Sequence, residues 1–352
     1  MFAKKNLVAA AALLALAGAA QAQVKLYGMV DMSVGSFEDA HTKGEKARTT
    51  QVASGNMMTS YIGLSGSEDL GGGLKAEFAL ESFLAGDTGS TLNNLAGGFW
   101  GRGSFLALSG GFGKVAIGQY DNPLFTSGYT YNPFGSSMMF SPTMRHLYSK
   151  EVAVGFDTGF VNSITYETPN MGGFMATAQF APKESTADGT KNSYALAGSY
   201  SAGPFSAMLT YVNAGITLAN TAYVTEQTLW NLGASYDFGV VKAFAQYTDV
   251  DYDASRDYDD VAEEFLNTIT TGDEKAKIYQ IGVSVPLSDK ASVMASFGKL
   301  KYKEADEADK VFSLGYSYML SKRTDVYGVF TNNQYTGKDS GQTFAVGIRH
   351  NF

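Results

Sequence analysis

Three histidines, His41, His146 and His350, are the only imidazoles in this 352-residue chain. Acid–base catalysis or a histidine metal site needs such rings to meet one another or a carboxylate. Two fall in expected loops and the third lies on the apolar side of a terminal strand. No hydrolytic Ser-His or Asp-His constellation can be assembled from them. The chain has no cysteine, which removes thiol chemistry and cysteine-based zinc sites. The acidic run DVDYDASRDYDDVAEEF places Asp249, Asp251, Asp253 and Asp260 near the spacing of a calcium loop. It departs at the sixth position, where Ala254 replaces glycine, and at the twelfth, where Asp260 replaces glutamate. It reads as a solvated acidic loop. No glycine-rich phosphate fingerprint follows a strand and opens a helix. Neither a cofactor nor a metal is expected.

What remains is charge carried on alternating segments. In VKLYGMVDMS, Val24, Leu26, Gly28, Val30 and Met32 share one parity, and Lys25, Tyr27, Met29, Asp31 and Ser33 share the other. In LKAEFALES, Leu74, Ala76, Phe78 and Leu80 face one way while Lys75, Glu77, Ala79 and Glu81 face the other. The chain ends on the same pattern: Phe344, Val346, Ile348, His350 and Phe352 against Ala345, Gly347, Arg349 and Asn351. Two-residue alternation over about ten residues, then a break, is the signature of a barrel strand with one face toward lipid.

The breaks alternate in length. Seven short ones (67–72, 110–113, 169–173, 201–204, 237–239, 286–289 and 321–323) separate eight long ones (37–56, 86–99, 121–160, 181–190, 213–226, 249–273, 303–309 and 334–340). They join sixteen strands, an even number with tight turns at one end and long loops at the other. The expectation is an all-β, 16-stranded antiparallel transmembrane barrel, wide enough for an aqueous channel and closed so that no edge is exposed.

The chain begins with Lys4 and Lys5, an apolar run from Leu7 to Ala20, and Ala20-Gln21-Ala22. This is the tripartite pattern of a secretory signal peptide, with residues 1–22 removed and 23–352 forming one barrel domain. Without the two lysines the formal charge of −8 becomes about −10. So acidic a chain is a poor nucleic-acid binder. No stretch of the expected mature chain has eighteen consecutive apolar residues, so no transmembrane helix is expected.

VKLYGMVD, LSGSEDLGGGLKA, RGSFLALSGGFGKVAIGQ and the terminal GIRHNF, in this order and spacing, resemble the general porins of Gram-negative bacteria, of the beta-proteobacterial and neisserial type. The resemblance runs from Gln23 to Phe352. It implies a homotrimer in the outer membrane, a third loop folded into the lumen, and a terminal Phe352 read by the barrel-assembly machinery. Outer-membrane lipid and lipopolysaccharide become expected partners, with loose divalent bridging to lipopolysaccharide one reading of the acidic loop.

The lumen then carries the function, and charge on its wall sets ion preference. The polar parity presents Lys25, Asp31, Lys75 and Glu77. Arg102 matches an arginine position of the family's fourth strand. The longest break, 121–160, is the expected constriction loop. It holds Asp121, Tyr129 and the turn Asn132-Pro133-Phe134-Gly135, similar to the family's loop tip, with Arg145 and Lys150 late in it. Basic wall against acidic loop would set up a transverse field; the alternative is that these charges anchor the loop. A loop inside a barrel needs water or wall partners for its backbone. Two departures weaken the anion selectivity common in this branch. Tyr61 stands where relatives often carry arginine, and Gln119 stands at another such position. Weak selectivity or a cation preference follows. Tyr61, Tyr129 and Tyr131 as a stacking surface for sugars is the variant reading. The function expected is passive diffusion of ions and small hydrophilic solutes. The alternatives are a solute-preferring porin and a structural or adhesive barrel with a plugged lumen. Lys, Glu, Asp, Ser and Gly on the inner parity favour the channel.

Overall fold

The structure, a computed structural model, describes residues 24–92, 98–149, 152, 154–184, 190–217, 224–253, 275–302 and 308–352. The expected leader and most of the acidic loop lie outside the described residues. Sixteen strands form the staves of one closed antiparallel sheet. In chain order they are Lys25–Phe37, Tyr61–Gly71, Leu74–Ala85, Gly103–Gly110, Gly113–Gln119, Ser163–Glu167, Phe174–Ala181, Ser193–Ala202, Phe205–Thr217, Val224–Asp237, Lys242–Asp253, Ala276–Pro286, Ala291–Tyr302, Ala308–Met319, Thr324–Gln334 and Gly341–Asn351. Each hydrogen-bonds to its chain neighbours, and the last pairs with the first from Met29↔Asn351 to Ser36↔Phe344. Closure leaves no stave without a partner, as a backbone in lipid requires.

The last strand holds Phe352 against the first. Phe352 donates its backbone N–H to the Gly28 carbonyl at 3.1 Å. A Cβ on Gly28 would lie 2.7 Å from the Phe352 ring, so glycine gives the last side chain its seat on the outer face of the seam. The outward parity is apolar as expected. Leu26, Leu106, Ile117 and Ile281 are each more than 60% exposed on the isolated barrel.

Two features depart from the sequence reading. A short strand, Thr49–Ser54, lies within the first long break and pairs with Met32–Phe37, while Tyr61–Ser65 pairs with Lys25–Met29. The second stave is thus interrupted at residues 55–60. The hairpin of Phe205–Thr217 and Val224–Asp237 is also longer than expected, pairing from Phe205↔Tyr236 to Thr217↔Val224. Beyond the lipid band the outer face need not be apolar, so alternation fades while the hydrogen-bond ladder continues.

Segment 121–160 contains two short helices, α1 (Pro123–Thr130) and α2 (Pro142–Leu147). Each starts with proline in its first turn. Asn122 Oδ1 caps α1 by accepting from Leu124 N at 2.9 Å, and Ser141 Oγ caps α2 by accepting from Met144 N at 3.3 Å. Asn-Pro and Ser-Pro are helix-start signals that hydrophobic alternation passes over.

Candidate functional site

The long segment 121–160 does not stand outside the barrel. Its groups meet inward-facing residues of staves far along the chain. Apolar contacts come first. Leu124, Leu147, Val152, Val154, Phe156 and Phe160 pack with Val212, Leu229, Val250, Ile278 and Leu300 from five successive staves. Each fully buried side chain of this kind contributes about 1.5–3 kcal/mol. Inner-wall amides then satisfy the loop's polar groups. Gln246 Nε2 donates to the Gly128 carbonyl (3.1 Å), Gln227 Nε2 to Val152 O (2.9 Å) and Gln179 Nε2 to Tyr120 O (3.0 Å). Thr143 Oγ1 donates to Gln280 Oε1 (2.8 Å), and Ser127 bonds Asn231. The loop therefore lies against a partly apolar inner wall. The sequence reading had expected that wall to be polar throughout.

Four inner glycines complete the seat. A Cβ on Gly233 would lie 2.3 Å from Tyr131, on Gly282 2.7 Å from Pro133, on Gly298 2.4 Å from Pro142 and on Gly315 2.8 Å from Phe134. Real Cβ atoms do not approach so closely, so each glycine is a socket for one loop side chain.

Several sequence-derived site residues serve this seat. Phe134 is buried with Phe37, Met57, Phe140, Met294 and Tyr327. Asn132 is buried too: its side chain donates to Gly135 O (2.9 Å) and accepts from Phe134 N (2.8 Å), which builds the turn. Tyr131 is buried in the Gly233 socket with its hydroxyl 3.0 Å from Ser206 Oγ, so it offers no face to a solute. Arg145 lies at the outer edge of the loop. It donates to Asp39 Oδ1 at 2.5 Å and to the Tyr335 hydroxyl at 3.1 Å, tying the loop to two other extracellular connections. Neighbouring His146 is fully buried; burial first, then Arg145, pushes its imidazole down to about 3.

Asp31 corrects a second expectation. It faces inward, but it is fully buried. Its carboxylate accepts from Met57 N (2.7 Å), Met58 N (2.8 Å) and the Tyr327 hydroxyl (2.7 Å). It clamps the interrupted stave at 55–60 to the barrel seam, where no permeating ion meets it. Lys25 and Lys75 are exposed at the short-turn end, Lys75 opposite Asp69. Lys150 lies outside the described residues.

The remaining residues converge. Arg102, Asp121 and Tyr129 share a cavity of about 410 Å³ with Tyr27, Glu81, Tyr120 and Glu167, opposite the apolar seat, and Tyr61 lies behind Arg102 without lining it. Arg102 is ion-paired with Glu81, and its guanidinium carbon sits 4.2 Å from the centre of the Tyr61 ring. The Tyr27 hydroxyl donates to the same glutamate at 2.5 Å. Tyr61 thus backs the arginine. Glu77 is paired with Lys114 at 2.7 Å. Glu167 accepts from Tyr120 at 3.1 Å and sits opposite Lys114 in the ladder. Among the described residues the bases here, Arg102 and Lys114, are engaged by Glu81 and Glu77, so Asp121, Asp157 and Glu167 stand as excess negative charge. Burial pushes Asp121 up to about 6, helped by Glu81, Glu167 and Asp157 and opposed by Arg102. Burial also takes Asp157 to about 6, again against Arg102. Lys114, Asp157 and Glu167 were not singled out from the sequence. Glu167 and Lys114 lie on short staves, five and seven residues long, where alternation is too brief to flag them.

The geometry agrees with what the chain resembles. A family model for Gram-negative porin matches residues 9–338. The chain is 34% identical over 317 residues to outer membrane porin protein 32 of Delftia acidovorans, covering 86% of this chain and 82% of that one. It is 30% identical to the structure of an anion-selective porin from Comamonas acidovorans, with TM-score 0.76, covering 94% of this chain and all of that one. A trimer form of in-vitro folded OmpT from Vibrio cholerae shares the fold at 15% identity, with TM-score 0.66, 94% of this chain and 99% of that one. With a closed sixteen-stave barrel and matches of this coverage, the chain belongs to the Gram-negative porin family.

Proposed function

We propose that solutes cross between the seated loop and the wall bearing Arg102, Glu81, Tyr61 and Glu167, and that this constriction prefers cations. As a Gram-negative porin the chain is a passive diffusion channel of the outer membrane and not an enzyme. The observation that carries the selectivity is the pairing: Arg102 with Glu81 and Lys114 with Glu77, so that Asp121, Glu167 and the nearby Asp157 outnumber the bases among the described residues. In a narrow passage with low-dielectric walls such an excess raises the local cation concentration. The relative described as anion-selective belongs to the same family, so the preference lies in these side chains and not in the fold. The working unit is a homotrimer, Phe352 is the assembly signal, and Lys25 and Lys75 line the periplasmic mouth. The other outcome for the same lumen is weak selectivity.

Single-channel recording of refolded protein under a tenfold potassium chloride gradient tests this. Currents in triplet steps with a cation-sign reversal potential are expected. Asp121→Asn with Glu167→Gln should shrink that potential toward zero. Acidification should do the same. Asp121 and Asp157 carry charge above about pH 6 and lose it below, so the preference falls between pH 7.5 and 5. An anion-sign potential would overturn the selectivity, and a silent, folded, membrane-inserted protein would overturn the proposed route.

A further inference from the structure

We propose that a cluster of outward-facing lysines, Lys277, Lys299, Lys301 and Lys310, binds the phosphate groups of lipopolysaccharide around the barrel. These residues lie on three neighbouring staves, Ala276–Pro286, Ala291–Tyr302 and Ala308–Met319. All share the outward parity. The ladder sets Lys277 directly opposite Lys301, and Lys299 directly opposite Lys310. Like charges directly opposite on one face of a sheet repel and destabilise the pair. Among the described residues no carboxylate is paired with Lys299, Lys301 or Lys310, so the arrangement fits an anion supplied from outside. Among the described residues one carboxylate meets the cluster: Asp249, 3.7 Å from Lys277.

Height along the staves identifies the anion. The next outward row toward the membrane is Ile281, Phe297 and Phe312, opposite one another and 65%, 40% and 39% exposed. Those side chains face hydrocarbon. Tyr279 stands beside Lys299 in the ladder and packs against Tyr247 with ring centres 5.3 Å apart, as aromatic residues do at a membrane boundary. The lysines therefore sit one step above the apolar band, at the end where long loops connect the staves. In a porin that end faces the cell exterior, and the lipid there is phosphorylated glycolipid. Adjacent pairs along a stave are about 7 Å apart. Four ammonium groups thus fall within reach of one phosphorylated headgroup. This inference rests on outer-membrane residence and is independent of the ion selectivity above.

The test titrates detergent-refolded protein with lipopolysaccharide, with the same lipopolysaccharide after enzymatic dephosphorylation, and with inorganic phosphate. Lys299→Gln combined with Lys301→Gln should weaken binding of the intact lipid about 30-fold. The unaltered protein should lose affinity comparably for the dephosphorylated lipid, and inorganic phosphate should not bind measurably. Lys290→Gln with Lys322→Gln, in turns at the opposite end, should bind as the unaltered protein does. Single-channel conductance should be the same for all and so reports correct folding. Equal affinity of the Lys299/Lys301 variant and the unaltered protein for intact lipid would overturn the proposal. So would indifference of the unaltered protein to dephosphorylation. Tight binding of inorganic phosphate would assign the cluster to a soluble anion and overturn the lipid reading.

Discussion

Gly233→Leu combined with Gly298→Leu is expected to lower single-channel conductance by about half or more and to raise current noise, while the barrel still folds. The sockets at these positions have no spare room. A Cβ alone would lie 2.3 Å from Tyr131 and 2.4 Å from Pro142. Leucine adds three further carbons at each site. The staves are held by full ladders on both sides, so the side with fewer backbone partners yields, and that is the loop. Pushed off its wall, it moves toward Arg102 and Asp121 and narrows the passage. Overpacking of this kind costs about 1–3 kcal/mol per site. The loop's apolar contacts and its amide bonds remain, so it is displaced and mobile instead of released. Gly328→Leu is the control. That glycine faces outward, and its nearest neighbour for a Cβ is 3.8 Å away. Unchanged conductance in the double variant, with Gly328→Leu equally silent, would mean the loop does not border the ion path.

The glycine sockets mark the boundary of what the sequence discloses. Stave number, turn positions and the outward face follow from alternation and breaks, because lipid on one side imposes a period that each segment must obey alone. The terminal strand shows this, with Phe344, Val346 and Ile348 outward and Ala345 buried. The loop seat obeys no such local rule. Tyr131 meets Gly233 and Pro133 meets Gly282 across more than a hundred residues of chain. A signal was present all the same. Gly233, Gly282, Gly298 and Gly315 each fall mid-strand on the inward parity, where glycine weakens a strand unless another backbone or ring must approach. Four such glycines on four staves mark one large object against one wall.

The charged residues divide along the same line. Parity placed Asp31, Glu77 and Glu81 on the inner side but was silent on depth. Asp31 lies beneath the interruption at 55–60, whereas Glu81 reaches the cavity. Arg102 was legible through the family pattern, and Asp121 through its place at the head of the longest break. Their partners Lys114, Asp157 and Glu167 come together only when the staves close. Net charge at the constriction is therefore a tertiary property. The arginine at a family position has its guanidinium already engaged by Glu81 and Tyr61, which is why the proposed preference does not follow that position alone.

Asp31→Ala is expected to destabilise the barrel by about 3–5 kcal/mol without shifting the reversal potential. The substitution leaves the N–H groups of Met57 and Met58 and the Tyr327 hydroxyl without their acceptor. Each unsatisfied buried donor costs about 1–3 kcal/mol, and bonds to a charged acceptor are at the strong end. The damage also falls at a vulnerable place. The second stave is broken there, and the first and last staves meet one strand away, so opening this corner exposes edge groups to lipid. Asp31→Asn keeps an acceptor oxygen and should lose roughly half as much. Tyr327→Phe removes one bond and should lose about 1–2 kcal/mol. The midpoint of urea unfolding, followed by the gel shift between folded and unfolded barrel, ranks the three variants. A pore charge would behave in the opposite way. Asp31→Ala would then leave the midpoint unchanged and move the reversal potential, and the clamp assigned to this carboxylate would be wrong.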